Sequence, residues 1–324
     1  MDIGSIFMGK ADVITNEYMS DNERFADVFN FFLYDGDQVI RPDKLKELDR
    51  TSVALPYKHN TRMSDVIQKY RDVFKLLAAM EDDNAAYLLI GIENQTYIHY
   101  AMPVKDMLYD ATQYVRQVEK TAKAHRSEAK DGNTTATGDE FLSGFHKDDK
   151  LLPVITLVIY WSPDEWDGPK SIHEMLSVKD KRILKHVPDY KINLITPKNI
   201  DDKDFSKFHT TLAEVFQFIK YSNDDVGLER VVNANSAYEH LDRRTVEVIN
   251  EVTGSRIDIP DGAKEVNMCL AIKEIERKAS EKAAEKTLLE SIHNLMKNMK
   301  LTAEQAMDAL GIVGEDRSRY AKML

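Results

Sequence analysis

Cysteine occurs once in the 324 residues, at Cys269, so no disulfide can close within the chain. Neither a thiolate zinc site nor a Cys-x-x-Cys redox pair can be built from it. Long hydrophobic runs are missing as well. Stretches such as residues 151–161 fall short of the roughly 18 apolar residues that a membrane-spanning helix needs, and the first ten residues place no basic region ahead of an apolar one. Basic residues are in deficit, 44 Lys and Arg against 55 Asp and Glu, and the net charge of -11 disfavours indiscriminate attraction to phosphate backbones or membrane surfaces. There is no Gly-x-x-x-x-Gly-Lys-Ser/Thr loop, no Gly-x-Ser-x-Gly elbow and no His-Glu-x-x-His or His-x-x-x-His spacing. P-loop ATP chemistry, hydrolase triads and a histidine metal site are therefore not expected, and His99, His125, His146 and His173 read as scattered. A cytoplasmic protein that does not engage a membrane is the expectation.

What is present, 43% hydrophobic and 31% charged residues, is enough for a large buried core. Residues 24–34 keep apolar positions at Phe25, Val28, Phe29 and Phe32, the spacing of an amphipathic helix that Asp35-Gly36-Asp37 ends. Pro42 predicts a short polar helix through Lys44 to Leu48. Residues 70–79 and 87–92 predict two strands of a hairpin entering a buried sheet. Pro103 then opens a helix to about Ala124, with Val104, Leu108, Ala111, Val115 and Val118 as its apolar stripe. Residues 126–150 are polar and weakly patterned and predict an exposed, flexible insertion. Residues 153–161 and 190–195 predict two further strands, so the core is a mixed α/β sheet flanked by helices. Beyond about Phe205 the pattern is helical throughout, with no further strand, including residues 263–299 and a capped helix from Thr302 to Gly311.

The residues that carry chemistry gather on the hairpin. Asp72 stands in its first strand, and Glu93 ends the apolar run of the second, where an acid needs a hydrogen bond, an ion pair or a metal to offset desolvation. Two carboxylates on adjacent strands can converge on one hard cation such as Mg²⁺, which commonly takes one or two carboxylates plus substrate phosphates. Gln95, two residues after Glu93, shares its face and can position water or a phosphate oxygen, though a neutral amide brings no positive charge. Ordinary ion pairing of Asp72 and Glu93 with Lys69, Arg71 or Lys75 explains the same pattern equally well. Tyr114 and Gln117 lie off the apolar stripe and can face a metal site or DNA; Tyr109 and Tyr114 read as partly buried, and Gln117 is the stronger candidate. The basic run at residues 179–182, with Lys185 and His186, suits either a DNA backbone contact or a solvated face.

Asp72, then Glu93-x-Gln95, then a helix with Tyr109-Asp110-Ala111-x-x-Tyr114-x-x-Gln117, resembles the PD-(D/E)XK nuclease superfamily. Within it, Leu89-Ile90-Gly91-Ile92-Glu93-Asn94-Gln95, Tyr100-Ala101-Met102-Pro103-Val104 and Arg24-Phe25-Ala26-Asp27-Val28-Phe29-Asn30 are similar to the Rpn-type recombination-promoting nuclease and transposase group. The resemblance implies a restriction-endonuclease-like domain over residues 16–220, with the insertion inside it, and a helical C-terminal region over residues 221–324. It implies Mg²⁺-dependent DNA endonuclease activity, with Mn²⁺ able to substitute, linked to recombination or mobile elements. Carried over by position, Asp72 and Glu93 are metal ligands and Gln95 stands where lysine is more usual. Asp27, with Glu23 one turn earlier as the alternative, supplies the further acidic residue, and Gln117 belongs to the catalytic set. The rival expectations are a degenerate nuclease domain that binds DNA or protein without cutting, and a helix-mediated assembly factor; the C-terminal helices can also make the nuclease a homodimer.

Overall fold

The computed structural model describes residues 9–47, 73–77, 88–130 and 137–324. Two antiparallel pairings and two parallel ones join five strands in the order β1 (Leu45–Glu47), β2 (Val73–Leu77), β3 (Leu88–Gln95), β4 (Val154–Tyr160) and β5 (Asn193–Ile195). The expected hairpin is present as β2 and β3, in which Val73 pairs with Ile92. Parallel β3 and β4 need a crossover, and α3 (Met102–Lys130) supplies its helix.

Helices cover both faces. On one, α1 (Lys10–Met19), α2 (Asn22–Tyr34), α5 (Leu212–Tyr221) and α7 (Arg243–Thr253) bury Tyr18, Phe25, Phe29, Phe216 and Ile249 against Ile92, Leu157, Ile159 and Trp161 of the sheet side. On the other, α3 brings Met102 to Val158, Tyr160, Trp166 and Ile192. Odd and even positions of β4 thus serve different cores, the period-two alternation of a strand buried on both sides.

The start of α2 is set by Asp21, whose carboxylate accepts from the amides of Glu23 and Arg24. Its end is set by Asp35 and Gly36, both at positive φ; a Cβ at Gly36 would lie 2.7 Å from Lys207 Cβ. Three helices grip a following loop through a side-chain amide. Asn30 brackets the backbone of Ile40, Gln117 that of Leu152 and Asn250 that of Ile257, each donating to the carbonyl and accepting from the N–H.

Three expectations are corrected. Residues 42–44 form a single 3-10 turn and residues 45–47 are strand β1, because pairing with β2 prevails over the helix-starting preference of Pro42. A two-stranded ladder, β6 (Leu241–Asp242) with β7 (Glu265–Val266), returns after residue 205; two residues per strand are too few to show a period. Helix α3 runs to Lys130, and α4 (Gly138–Ser143), opened by a Thr137/Glu140 capping box, orders part of the expected flexible insertion. The main core also passes residue 220, through Val231 and Val232 of α6 (Asp225–Ala234), Tyr238, Ile249 and Ile257 to Met268. From there α8 (Met268–Met299) leads to a separate small cluster in which Ile292 packs with Ala306 and Met307 of α9 (Ala303–Ala309), Ile312, and Tyr320 of α10 (Gly314–Ala321). Among the described residues, no helix is long and apolar enough to cross a membrane.

Candidate functional site

Strand β3 divides its last four residues between the two faces. Ile92 and Asn94 turn to the larger core, where Asn94 Oδ1 accepts from the Trp161 indole at 2.8 Å and its amide donates to Asn16. Glu93 turns to α3. Its side chain is 1% exposed, and Lys105 Nζ, on the first turn of α3, donates to Glu93 Oε2 at 2.8 Å. The Lys105 side chain keeps 17% exposure and passes 5.8 Å from the centre of the Tyr109 ring, so the ammonium reaches both solvent and the buried carboxylate. Burial, with the Lys105 charge adding to it, holds the nearby His99 imidazole below its ordinary value.

Helix α3 buries an unusual face. Asp106, Tyr109, Asp110, Thr112 and Gln113 are buried, whereas Val104, Leu108 and Val115 are 44%, 42% and 39% exposed. The apolar stripe read from the sequence therefore faces outward, a correction. The polar side packs inward because it finds partners there: Asp110 accepts from Thr156 Oγ1 at 2.6 Å and from Tyr190 Oη at 2.7 Å, and Glu93 meets Lys105. Periodicity assigns the apolar side of a helix to the core, and it fails where the buried layer is built from carboxylates and hydroxyls.

The other candidates are dispersed. Gln95 is half-buried and donates to the carbonyl of its neighbour Asn94. Tyr109 is buried, and Tyr114 Oη accepts from the Val154 amide. Gln117 holds Leu152; since Glu93 lies opposite Val158, the step of six positions back along the chain to Leu152 sets Gln117 about 20 Å away along the sheet. Asp27 is buried on α2, on the far side of the sheet from α3, and accepts from the amides of His209 and Thr210 and from Thr210 Oγ1 at 2.6–3.0 Å. Its carboxylate closes the loop leading into α5. Glu23 is exposed and lines a cleft with Asp21, Arg24, His209 and Thr210. Neither Asp27 nor Glu23 joins Glu93. Asp72 lies outside the described residues, as do Lys69 and Arg71. In the basic run, Asp180 pairs with Arg182, and Lys179 Nζ donates to the carbonyls of His173 and Glu174.

Lys105 is the participant that sequence reasoning missed; the available signal was a lysine one turn inside a helix that directly follows the Glu93 strand. The donors at Glu93 suit a hard cation in kind, since they are oxygens, with an ammonium already neutralising the buried carboxylate. Mg²⁺ is commonly held by one or two carboxylates together with substrate phosphates, so Glu93 by itself is a partial ligand set. No protein-family model matches the chain, and no curated protein or solved structure matches it either.

Proposed function

We propose that the chain is a metal-dependent DNA endonuclease with a restriction-endonuclease-like core, serving recombination or mobile-element activity. The observation that carries the proposal is the buried Glu93 on a β-strand with Lys105 set against it from the next helix. In the sequence Asp72 immediately precedes Val73, which pairs with Ile92, the residue before Glu93. In this proposal Asp72 and Glu93 would hold Mg²⁺, or Mn²⁺ in its place. The bound ion would supply Lewis acidity at the scissile phosphate and a water of lowered pKa. Lys105 would balance negative charge building on the phosphate, the task that Gln95 cannot perform, while Gln95 would orient the water.

A second proposal is favoured by the same geometry: with Glu93 already matched by Lys105 and Asp27 engaged by the loop before α5, the fold could bind DNA or a partner protein without cutting. Supercoiled plasmid incubated with the protein in Mg²⁺, Mn²⁺ or EDTA separates the two. Metal-dependent nicking that is lost in Glu93→Gln supports the nuclease. Intact plasmid in every lane, from folded protein, supports the non-cleaving module. Light scattering of the full chain tests whether the C-terminal helices make a homodimer.

A further inference from the structure

His125, near the end of α3, meets His146 and Asp149, which follow α4 in the chain. The two imidazoles stack with centroids 3.6 Å apart and planes inclined by 17°. Asp149 lies against His125 Nε2, with Oδ2 at 2.9 Å and Oδ1 at 3.2 Å, and its Oδ2 also accepts from the His146 amide at 2.6 Å. One ligand atom from each of the three lies within 4.8 Å of the others, and all three residues are partly buried. They form the one group of three or more His, Cys, Asp or Glu so gathered among the described residues.

Two further features favour a built site. Gly144, at φ +68, seats its loop directly on α3: a Cβ there would lie 2.8 Å from Ala122 Cβ, three residues before His125. Only glycine both adopts this backbone and permits that approach, which carries His146 to His125. On the opposite side of the His125 ring, Glu128 Oε2 stands 3.7 Å from Nδ1. At that distance the carboxylate sets a negative charge beside the ring without a hydrogen bond to it.

We infer that His125, His146 and Asp149 form a binding site for a divalent transition ion of the Zn²⁺ class, separate from Glu93. Two imidazoles and a carboxylate suit Zn²⁺ and Co²⁺ better than Mg²⁺, and three protein ligands leave a fourth position for water. Ligand distances of about 2.0–2.2 Å place tetrahedral donors roughly 3.3–3.5 Å apart, inside the 4.8 Å over which these three are spread, so binding would turn the stacked rings toward the ion. The ion would tie residues 138–149 to the end of α3 and so fix the insertion that the sequence presents as flexible. Histidine spacing along the chain conceals it, because His125 and His146 are 21 residues apart and are joined by the fold.

The test uses untagged, full-length, metal-free protein titrated with Co²⁺ by visible absorption and with Zn²⁺ by calorimetry. One equivalent should bind with the ligand-field bands of a four-coordinate ion, and Zn²⁺ should raise Tm. His125→Ala and His146→Ala should each weaken binding at least about tenfold, whereas His173→Ala should leave it unchanged. Failure of the folded wild-type chain to bind either ion overturns the inference, as does binding by Glu93→Gln protein that survives both His125→Ala and His146→Ala. These outcomes do not depend on whether plasmid is cleaved.

Discussion

Lys105 and Glu93 form an ion pair across the interface between α3 and the sheet, 2.8 Å between Nζ and Oε2, with the glutamate the more deeply buried partner. Breaking one side of such a pair leaves a charge in a poorly solvated place. Lys105→Met should destabilise the protein by about 3–5 kcal/mol, and Glu93→Gln added to it should recover a good part of the loss. Urea unfolding of the two single variants and the double variant checks this; additive losses would show that the two groups do not interact.

Asp27→Ala should cost about 2–3 kcal/mol, since it leaves the His209 and Thr210 amides and the Thr210 hydroxyl without their acceptor. If Asp27 only closes the loop before α5, any plasmid cleavage per folded molecule should stay within about twofold of wild type at a temperature where the variant is folded. A large loss of turnover with stability intact would return Asp27 to the reaction.

Gln117→Leu should cost about 1–3 kcal/mol, because both backbone groups of Leu152 lose their partner at once. Hydrogen exchange should then quicken around Leu152, leaving the Ile92 and Glu93 amides protected. Uniform protection at Leu152 in the variant would contradict the assignment.

Tyr18 gives a pH dependence. Its hydroxyl is buried, bonded to Thr211 at 2.8 Å and within 3.4 Å of Thr245, and burial raises its pKa from the ordinary 10.0 to about 12 despite the Arg24 guanidinium over the ring. The unfolded chain releases this proton first as pH rises, so the stabilisation is complete below about pH 10 and is lost between about 10 and 12. The loss is on the order of 2 kcal/mol. Stability against urea, followed across that range, should fall less steeply in Tyr18→Phe than in wild type.

The sequence made the sheet legible wherever apolar runs were bounded by turn residues: β3, β4 and the hairpin pairing of β2 all follow from that pattern. It also located Glu93, because an acid after Ile90-Gly91-Ile92 demands a partner. It could not name the partner, since Lys105 arrives through a helix whose inward face is polar, and a helix with Val104, Leu108 and Val115 turned to solvent inverts the usual rule. Asp27 shows the converse limit. The family resemblance offered Asp27 as a further acidic residue of the site, whereas the backbone amides that satisfy it, at His209 and Thr210, are 182 and 183 residues away in the chain.

Helix α8 begins in the main core, where Ile272 packs, and ends in its own small cluster around Ile292. Twenty residues of helix separate those anchors, about 30 Å, and between them Arg277 is matched within the helix by Glu274 and Glu281. The helix is thus a lever with a weighted tip. A tilt of about 10° at its root would sweep the tip through about 5 Å, so small repacking near Met268 is magnified at the far end, while the tip keeps its own packing.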